Sequence, residues 1–170
     1  MKRESLSGKV SKNKIIMAVV IAVLLYAIYY YWFGQNHTLN AQQSIALLNS
    51  RFNVTNVTVY NGNRIRTYHA YLAASPAQQA EGYMNVSTIG NCDGMGGCIG
   101  MVFAFDQYGT QCFWMENTAL RLKQTWLDYN GYPAYSYNAT PFSKAVLCHA
   151  GTYVVETLQN FTINGTAAIS

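Results

Sequence analysis

The sequence predicts a mainly β (α+β) fold: a compact, partly closed β-barrel-like domain with one or two short helices, behind an N-terminal transmembrane helix. Three observations carry this. Short runs of period-two alternation recur from Val54 onward and are separated by Asn-Gly turns. Ile15 to Phe33 is apolar, aromatic and uncharged, and matches the ~20 residues needed to cross a bilayer. Helix-start signals beyond that run are few and stand before short segments.

A chain of 170 residues holds one domain plus an attachment. Only 11% of residues are charged, against 51% hydrophobic. Lys2, Arg3, Lys9, Lys12 and Lys14 against Glu4 place the whole net charge of +4 before residue 15. Afterwards Arg51, Arg64, Arg66, Arg121, Lys123 and Lys144 balance Glu81, Asp93, Asp106, Glu116, Asp128 and Glu156, which argues against a nucleic-acid partner. The same asymmetry orients the apolar run, with Tyr26, Tyr29, Tyr30, Tyr31 and Trp32 forming an aromatic belt at its outer end. The expected organisation is a cytoplasmic basic tail (1–14), a signal anchor (15–33), a stalk or short helix (34–53), an extracytoplasmic β-domain (54–159) and a polar tail (160–170). A cleaved signal peptide is the rival, but the run is long for one and no A-x-A site follows Gly34.

Two further signals agree with export. The cysteine count is even at 4. Asn36, Asn53, Asn56, Asn85, Asn138, Asn160 and Asn164 each head an N-x-[ST] sequon, where chance would place roughly two. Residues 86–137 contain none, which marks them as the core.

Taken in order, Thr38 is the expected cap of a helix to about Ser50, with Leu39, Ile45, Leu48 and Phe52 near one face. Val54–Tyr60 and Arg64–Ala73 form a hairpin about Asn61-Gly-Asn63. Ser75, Pro76 and Gln78 read as a capping box with proline at the first helical position. Glycines between Gly90 and Cys98 resist regular structure. Gly100–Phe105 is a buried strand, and Gln111–Glu116 a second, with large side chains on both faces and so a central place in the sheet. Leu120, Leu122 and Trp126 alternate with polar residues in a half-exposed strand. Asn130-Gly131 closes a two-residue hairpin onto Tyr132–Tyr137. Thr152–Thr157 is the last expected strand, before a fraying tail.

Several of these motifs, in this order, resemble the domain of unknown function 192 family, small exported or membrane-anchored β-domains of bacteria and archaea. They are Ser75-Pro76…Gln79…Gly82-Tyr83-Met84, Gly100-Met-Val-Phe103, Phe113-Trp-Met-Glu-Asn-Thr118, Leu127-Asp128…Gly131 and Tyr153-Val-Val-Glu156, spanning about residues 68–157. The resemblance implies a compact barrel-like fold and supplies no activity. The chain departs from the family in Arg121 and Lys123, which stand where proline and aspartate are usual, and in the loop between Cys92 and Cys98.

Chemistry is sparse. The cysteines can pair as Cys92–Cys98 and Cys112–Cys148, one of three connectivities, or could join His149 and Met95 in a metal site. The C-x5-C spacing fits structural zinc poorly, so disulfides are preferred and neither metal nor cofactor is assigned. Cys148-His149 is a poor nucleophile and base, because neighbours on an extended chain point apart. Asp128 before Tyr-Asn-Gly suits a turn. No phosphate loop, nucleophile elbow or HExxH occurs, and no catalytic residue is assigned. Trp114, Glu116, Asn117 and Thr118 remain as ligand-binding candidates at the rim of a strand. The expected protein is a single-pass membrane protein, held in the lipid bilayer by Ile15–Phe33, whose outward β-domain binds a ligand or an envelope glycan or protein partner. The alternatives are a hydrolase or transferase on cell-surface material through Glu116 and Asp128, or a metal-handling module.

Overall fold

The computed structural model describes residues 17, 20–27, 39–94 and 97–170. The chain divides into two units, Met1–His37 and Thr38–Ser170. In the first, residues 20–27 are helical. Among the described residues no helix is long and apolar enough to cross a membrane. The basic tail, most of the expected span with its aromatic belt, the Asn36 sequon and Thr38 lie outside the described residues.

The second unit opens with helix α1 (Ala41–Arg51). Its cap is Asn40, not Thr38: the Asn40 side chain accepts from the Gln43 N–H at 2.9 Å, and the Gln43 side chain accepts from the Asn40 N–H at 3.2 Å. That exchange satisfies two otherwise orphaned donors. Leu48 and Phe52 bury against Tyr71, so the helix packs into the domain and is no free stalk. Strands β1 (Asn53–Asn61) and β2 (Arg64–Ala73) form the expected hairpin, with Asn61 opposite Arg64 and Gly62 at φ +57° in the turn. Helix α2 (Pro76–Glu81) carries the capping box of Ser75 and Gln78, with Pro76 where its missing N–H is harmless.

The two strands expected at 100–105 and 111–116 are arms of one strand, β3 (Cys98–Phe113). They are interrupted where residues 105–108 face the single residue Thr152 between the Ala104–Tyr153 and Gly109–Gly151 pairs. Such extra residues bend a strand and raise its twist. Strand β4 (Leu122–Leu127) is buried on both faces rather than half-exposed: Leu122, Gln124, Thr125, Trp126 and Leu127 are all inside. It is joined to β5 (Pro133–Asn138) by residues 128–132, a longer loop than the expected two-residue turn. Asp128 organises that loop, its Oδ1 accepting from the N–H groups of Asn130 and Tyr132 at 2.9 Å each. Strand β6 runs from Leu147 to Leu158. The expected fraying tail instead holds β7 (Thr166–Ile169), which pairs with β1 because Ile163 and Ala167 have apolar surface to bury.

The seven strands form one curled, half-barrel sheet in the order β5-β4-β6-β3-β2-β1-β7. Strand β3 is its middle strand, as the large side chains of 111–116 imply. Its pairing with β2 is parallel and the remaining pairings are antiparallel. Curling brings the β4–β5 loop to β7, where the Ala167 N–H donates to the Gly131 carbonyl at 2.8 Å. One face of the sheet packs Tyr71, Met101, Phe103, Phe113, Trp126 and Val154 beneath α1 and the residues after α2. The other packs Val57, Val59, Val102, Leu127 and Val155 beneath Ile163 and Ala167. Cysteines pair as Cys92–Cys98 and Cys112–Cys148, the latter joining directly opposed residues of β3 and β6.

Candidate functional site

A cleft of about 260 Å³ opens between α2 with the turn after it and the strands β3 and β6. Its position follows from glycine. Gly82 ends α2 at φ +47°, and a Cβ there would meet the Phe103 ring at 3.2 Å, so the chain turns directly over β3. Gly100 lies in a bulge, where Ile99 and Gly100 together oppose Ala70 of β2. Opposite it on β6, a Cβ on Gly100 would lie 1.8 Å from the Glu156 carbonyl oxygen. Only glycine lets β3 and β6 close up at that point.

Glu156 lines the floor of the cleft and is 4% exposed. It sits between Gln124 of β4 and Met101 of β3. Gln124 Nε2 donates to Glu156 Oε1 at 2.9 Å. No fully buried side-chain oxygen or nitrogen among the described residues lacks a partner. The second carboxylate oxygen has no protein donor and therefore reaches the cleft. Burial pushes the carboxyl up to about 7, against the smaller lowering by the Gln124 hydrogen bond. Tyr83, also in the cleft wall, is buried and its hydroxyl donates to the Ile89 carbonyl at 3.2 Å. Its phenol is held well above the usual range, first by burial and then by the charge of Glu156. Near neutral pH the cleft therefore offers a carboxyl poised between donor and acceptor, beside a neutral phenol.

Trp114 stands in the wall at 45% exposure, with Gln79, Gln111 and Thr118 also lining the cleft. Phe113 and Met115 point inward, so the alternation expected around Trp114 holds, but the strand ends at Phe113. Beyond it the backbone turns: the Thr118 N–H donates to the Met115 carbonyl, and Asn117 takes φ +55°, a conformation asparagine tolerates. The Asn117 carbonyl then accepts from the Asn85 N–H at 2.8 Å, and the Thr118 hydroxyl donates to the Glu116 carbonyl at 3.2 Å. Of the four ligand-binding candidates, the structure thus brings Trp114 and Thr118 to the cleft. Glu116 and Asn117 build the turn behind it, with Glu116 near Lys144 at 3.7 Å.

Glu116 and Asp128 are not brought together; the strand β4 lies between them, and the Asp128 carboxylate is occupied in its own loop. All four cysteines are taken up by one another, and Met95 lies outside the described residues. His149 stacks on Tyr135 with ring centroids 3.5 Å apart. Among the described residues no group of three or more His, Cys, Asp or Glu is placed to hold a metal ion. Asn53, Asn56, Asn85, Asn138, Asn160 and Asn164 are all exposed.

The residue missed in the sequence is Glu156. Its only sequence signal is the Tyr153-Val-Val-Glu156 motif, where a charged residue closes an apolar run.

A family model for DUF192, described as an uncharacterized ACR, matches residues 57–165. A search of curated proteins finds no match. Among solved structures the chain is similar to a "putative transcription regulator" from Sinorhizobium meliloti 1021, at 20% identity and a TM-score of 0.58, covering 70% of this chain and 94% of that one. It is also similar to a protein of unknown function from Novosphingobium aromaticivorans DSM 12444, at 22% identity and a TM-score of 0.56, covering 68% and 83%. At such identities the likeness shows a shared fold alone.

Proposed function

The chain belongs to the DUF192 family, whose description assigns no activity, and from that premise we propose that it is a single-pass membrane protein whose outward-facing β-domain binds a small polar ligand in the cleft above Glu156. The observation that carries the binding reading is the Glu156 carboxyl itself. A buried ionisable group is costly to keep unless it is paired or used. Glu156 has one protein donor and one oxygen open to a concave, aromatic-walled cleft. A half-exposed indole beside amide, hydroxyl and carboxyl groups suits a ligand of monosaccharide size, with an apolar face and hydroxyls to satisfy.

Placement outside the cell rests on the uncharged run 15–33 behind the basic residues 1–14. Two disulfides fit an oxidising compartment. The six described sequon asparagines are exposed, which suits an outer surface carrying glycans. Carbonate-washed membranes should retain the chain. An N-terminus found after residue 34 would replace the anchor with a cleaved signal, and mass spectrometry of bare asparagine at all seven sequons would remove the glycans.

Binding is tested with a panel of neutral mono- and disaccharides, following Trp fluorescence of the full-length chain. One or more should bind, with Trp114→Ala and Glu156→Ala each weakening it at least tenfold and Glu116→Gln/Asp128→Asn leaving it unchanged. Loss on the double amide exchange would favour the hydrolase or transferase reading. A panel that binds nowhere, or binds independently of Trp114, refutes the cleft.

A further inference from the structure

On the opposite face of the sheet lies a second concave site, a groove of about 450 Å³. Arg64, Arg66 and Tyr68 are alternate residues of β2 and present their side chains on one face. Their cross-strand partners are Asn61, Val59 and Val57 of β1. The facing wall is the connection between β6 and β7, whose Asn160 and Asn164 also line the groove, so the groove is open to a ligand only where these two sequons carry no glycan. There Phe161 meets Tyr68 edge-on, with ring centroids 5.1 Å apart at 90°, and the Thr162 hydroxyl accepts from Lys123 Nζ at 2.6 Å.

The charge in this groove is unanswered. No Asp or Glu lines it. Among the described residues the ion pairs are Arg51–Glu81 and Lys144–Glu116, so both guanidiniums are without a carboxylate. The domain as a whole has as many acidic as basic residues after position 14, and the acidic ones are placed elsewhere. The bland account is edge protection. Pairing of β2 with β3 begins only at His69, so residues 64–68 form a free strand edge that charges would guard against strand pairing. Edge protection explains a pair of charges there. It does not explain why they face a walled groove with two aromatic rings.

We propose that this groove binds an acidic saccharide, with its carboxylate or sulfate held by the Arg64 and Arg66 guanidiniums and its ring lying along Tyr68 and Phe161. The planar guanidinium forks match an oxyanion in two-point contact. Aromatic faces match the C–H side of a sugar ring, and Asn61 and Thr162 supply partners for its hydroxyls. An anionic membrane surface is the poorer fit, because lipid-binding clusters gather roughly 4–8 cations on an open face. The groove is separate from the Glu156 cleft, and its proposal stands or falls independently.

The test uses the full-length chain in detergent micelles and oligogalacturonate as probe. Binding should appear at low salt and weaken at least tenfold as sodium chloride rises from about 50 to 300 mM. Arg64→Gln/Arg66→Gln should lose at least tenfold, Arg64→Lys/Arg66→Lys should recover only part, and Glu156→Gln should bind as the parent does. These arginines are exposed, so an unchanged thermal midpoint shows that the variants are folded. Neutral malto-oligosaccharide of the same length should not compete. The proposal fails if the parent does not bind oligogalacturonate, or if Arg121→Gln/Lys144→Gln, which removes two cations elsewhere, weakens binding equally. It also fails if the parent binds anionic phosphatidylglycerol vesicles and no saccharide.

Discussion

At position 100 a side chain would collide with the Glu156 backbone, and at position 156 a carboxyl is kept largely from water. The two residues set the cleft together, and each makes a separate prediction. Gly100→Ala should cost roughly 3 kcal/mol or more, measured by urea unfolding, since rigid backbone is what the methyl meets. For Glu156 the folded carboxyl is raised to about 7 from an ordinary value of 4.5. Between those limits the folded state binds more protons than the unfolded one, so stability falls as pH rises through this window. The span corresponds to about 3 kcal/mol as an order of magnitude. Glu156→Gln keeps an acceptor for Gln124 and should flatten the pH dependence between about 5 and 7, leaving a variant more stable than the parent at pH 8. A thermal-midpoint series against pH measures it, and an unchanged slope would show that Glu156 is not the titrating group. None of this is visible in the sequence, because Gln124 and Met101 become neighbours of Glu156 only when β4, β6 and β3 align. The Asn117-Thr118 pair is legible but ambiguous: the residues that suit a ligand rim also suit a tight turn, and here both take part in the turn while Thr118 alone of the two also lines the cleft.

Elements with local determinants are readable from sequence; those with distant ones are not. The β1–β2 turn and the α2 cap depend on neighbouring residues, and both occur where Gly62 and Ser75 with Gln78 predict them. Strand β4 reads as half-exposed because Lys123 and Thr125 are polar, yet β5 and β6 flank it on either side and bury Thr125. Strand β7 is unrecognisable alone, since Thr166–Ile169 is too short to show a pattern and depends on β1 for a partner. Between β3 and β6 the Cys112–Cys148 disulfide spans a sequence separation of 36. Closing a loop of that size restricts the unfolded chain, so Cys112→Ser/Cys148→Ser should lose about 2–4 kcal/mol in denaturant unfolding. Cys92→Ser/Cys98→Ser closes a separation of only 6 and should lose less. An equal loss from both pairs would mean that native packing, not chain entropy, sets their worth.

For the whole molecule, the curl of the sheet protects an edge. Strand β7 covers β1, and its Ala167 N–H reaches across to Gly131 beyond β4. Deleting residues 166–170 should strip β1 of that partner and produce concentration-dependent light scattering with a lowered thermal midpoint. A truncated chain that stays monomeric at equal stability would show that β7 is dispensable. The single parallel pairing, β2 with β3, has a different consequence. Parallel neighbours require the chain to travel back along the sheet before it re-enters. Here the return journey, residues 74–97, holds α2, Tyr83 and Cys92, which is bonded to Cys98 at the start of β3. The cleft therefore has a floor fixed by strand register and a roof made by a crossover whose length the register does not dictate. Roof and floor can change at different rates: a graft of residues 74–97 alters what the cleft admits while the sheet beneath keeps its alignment, which makes the crossover the natural handle for redesigning selectivity.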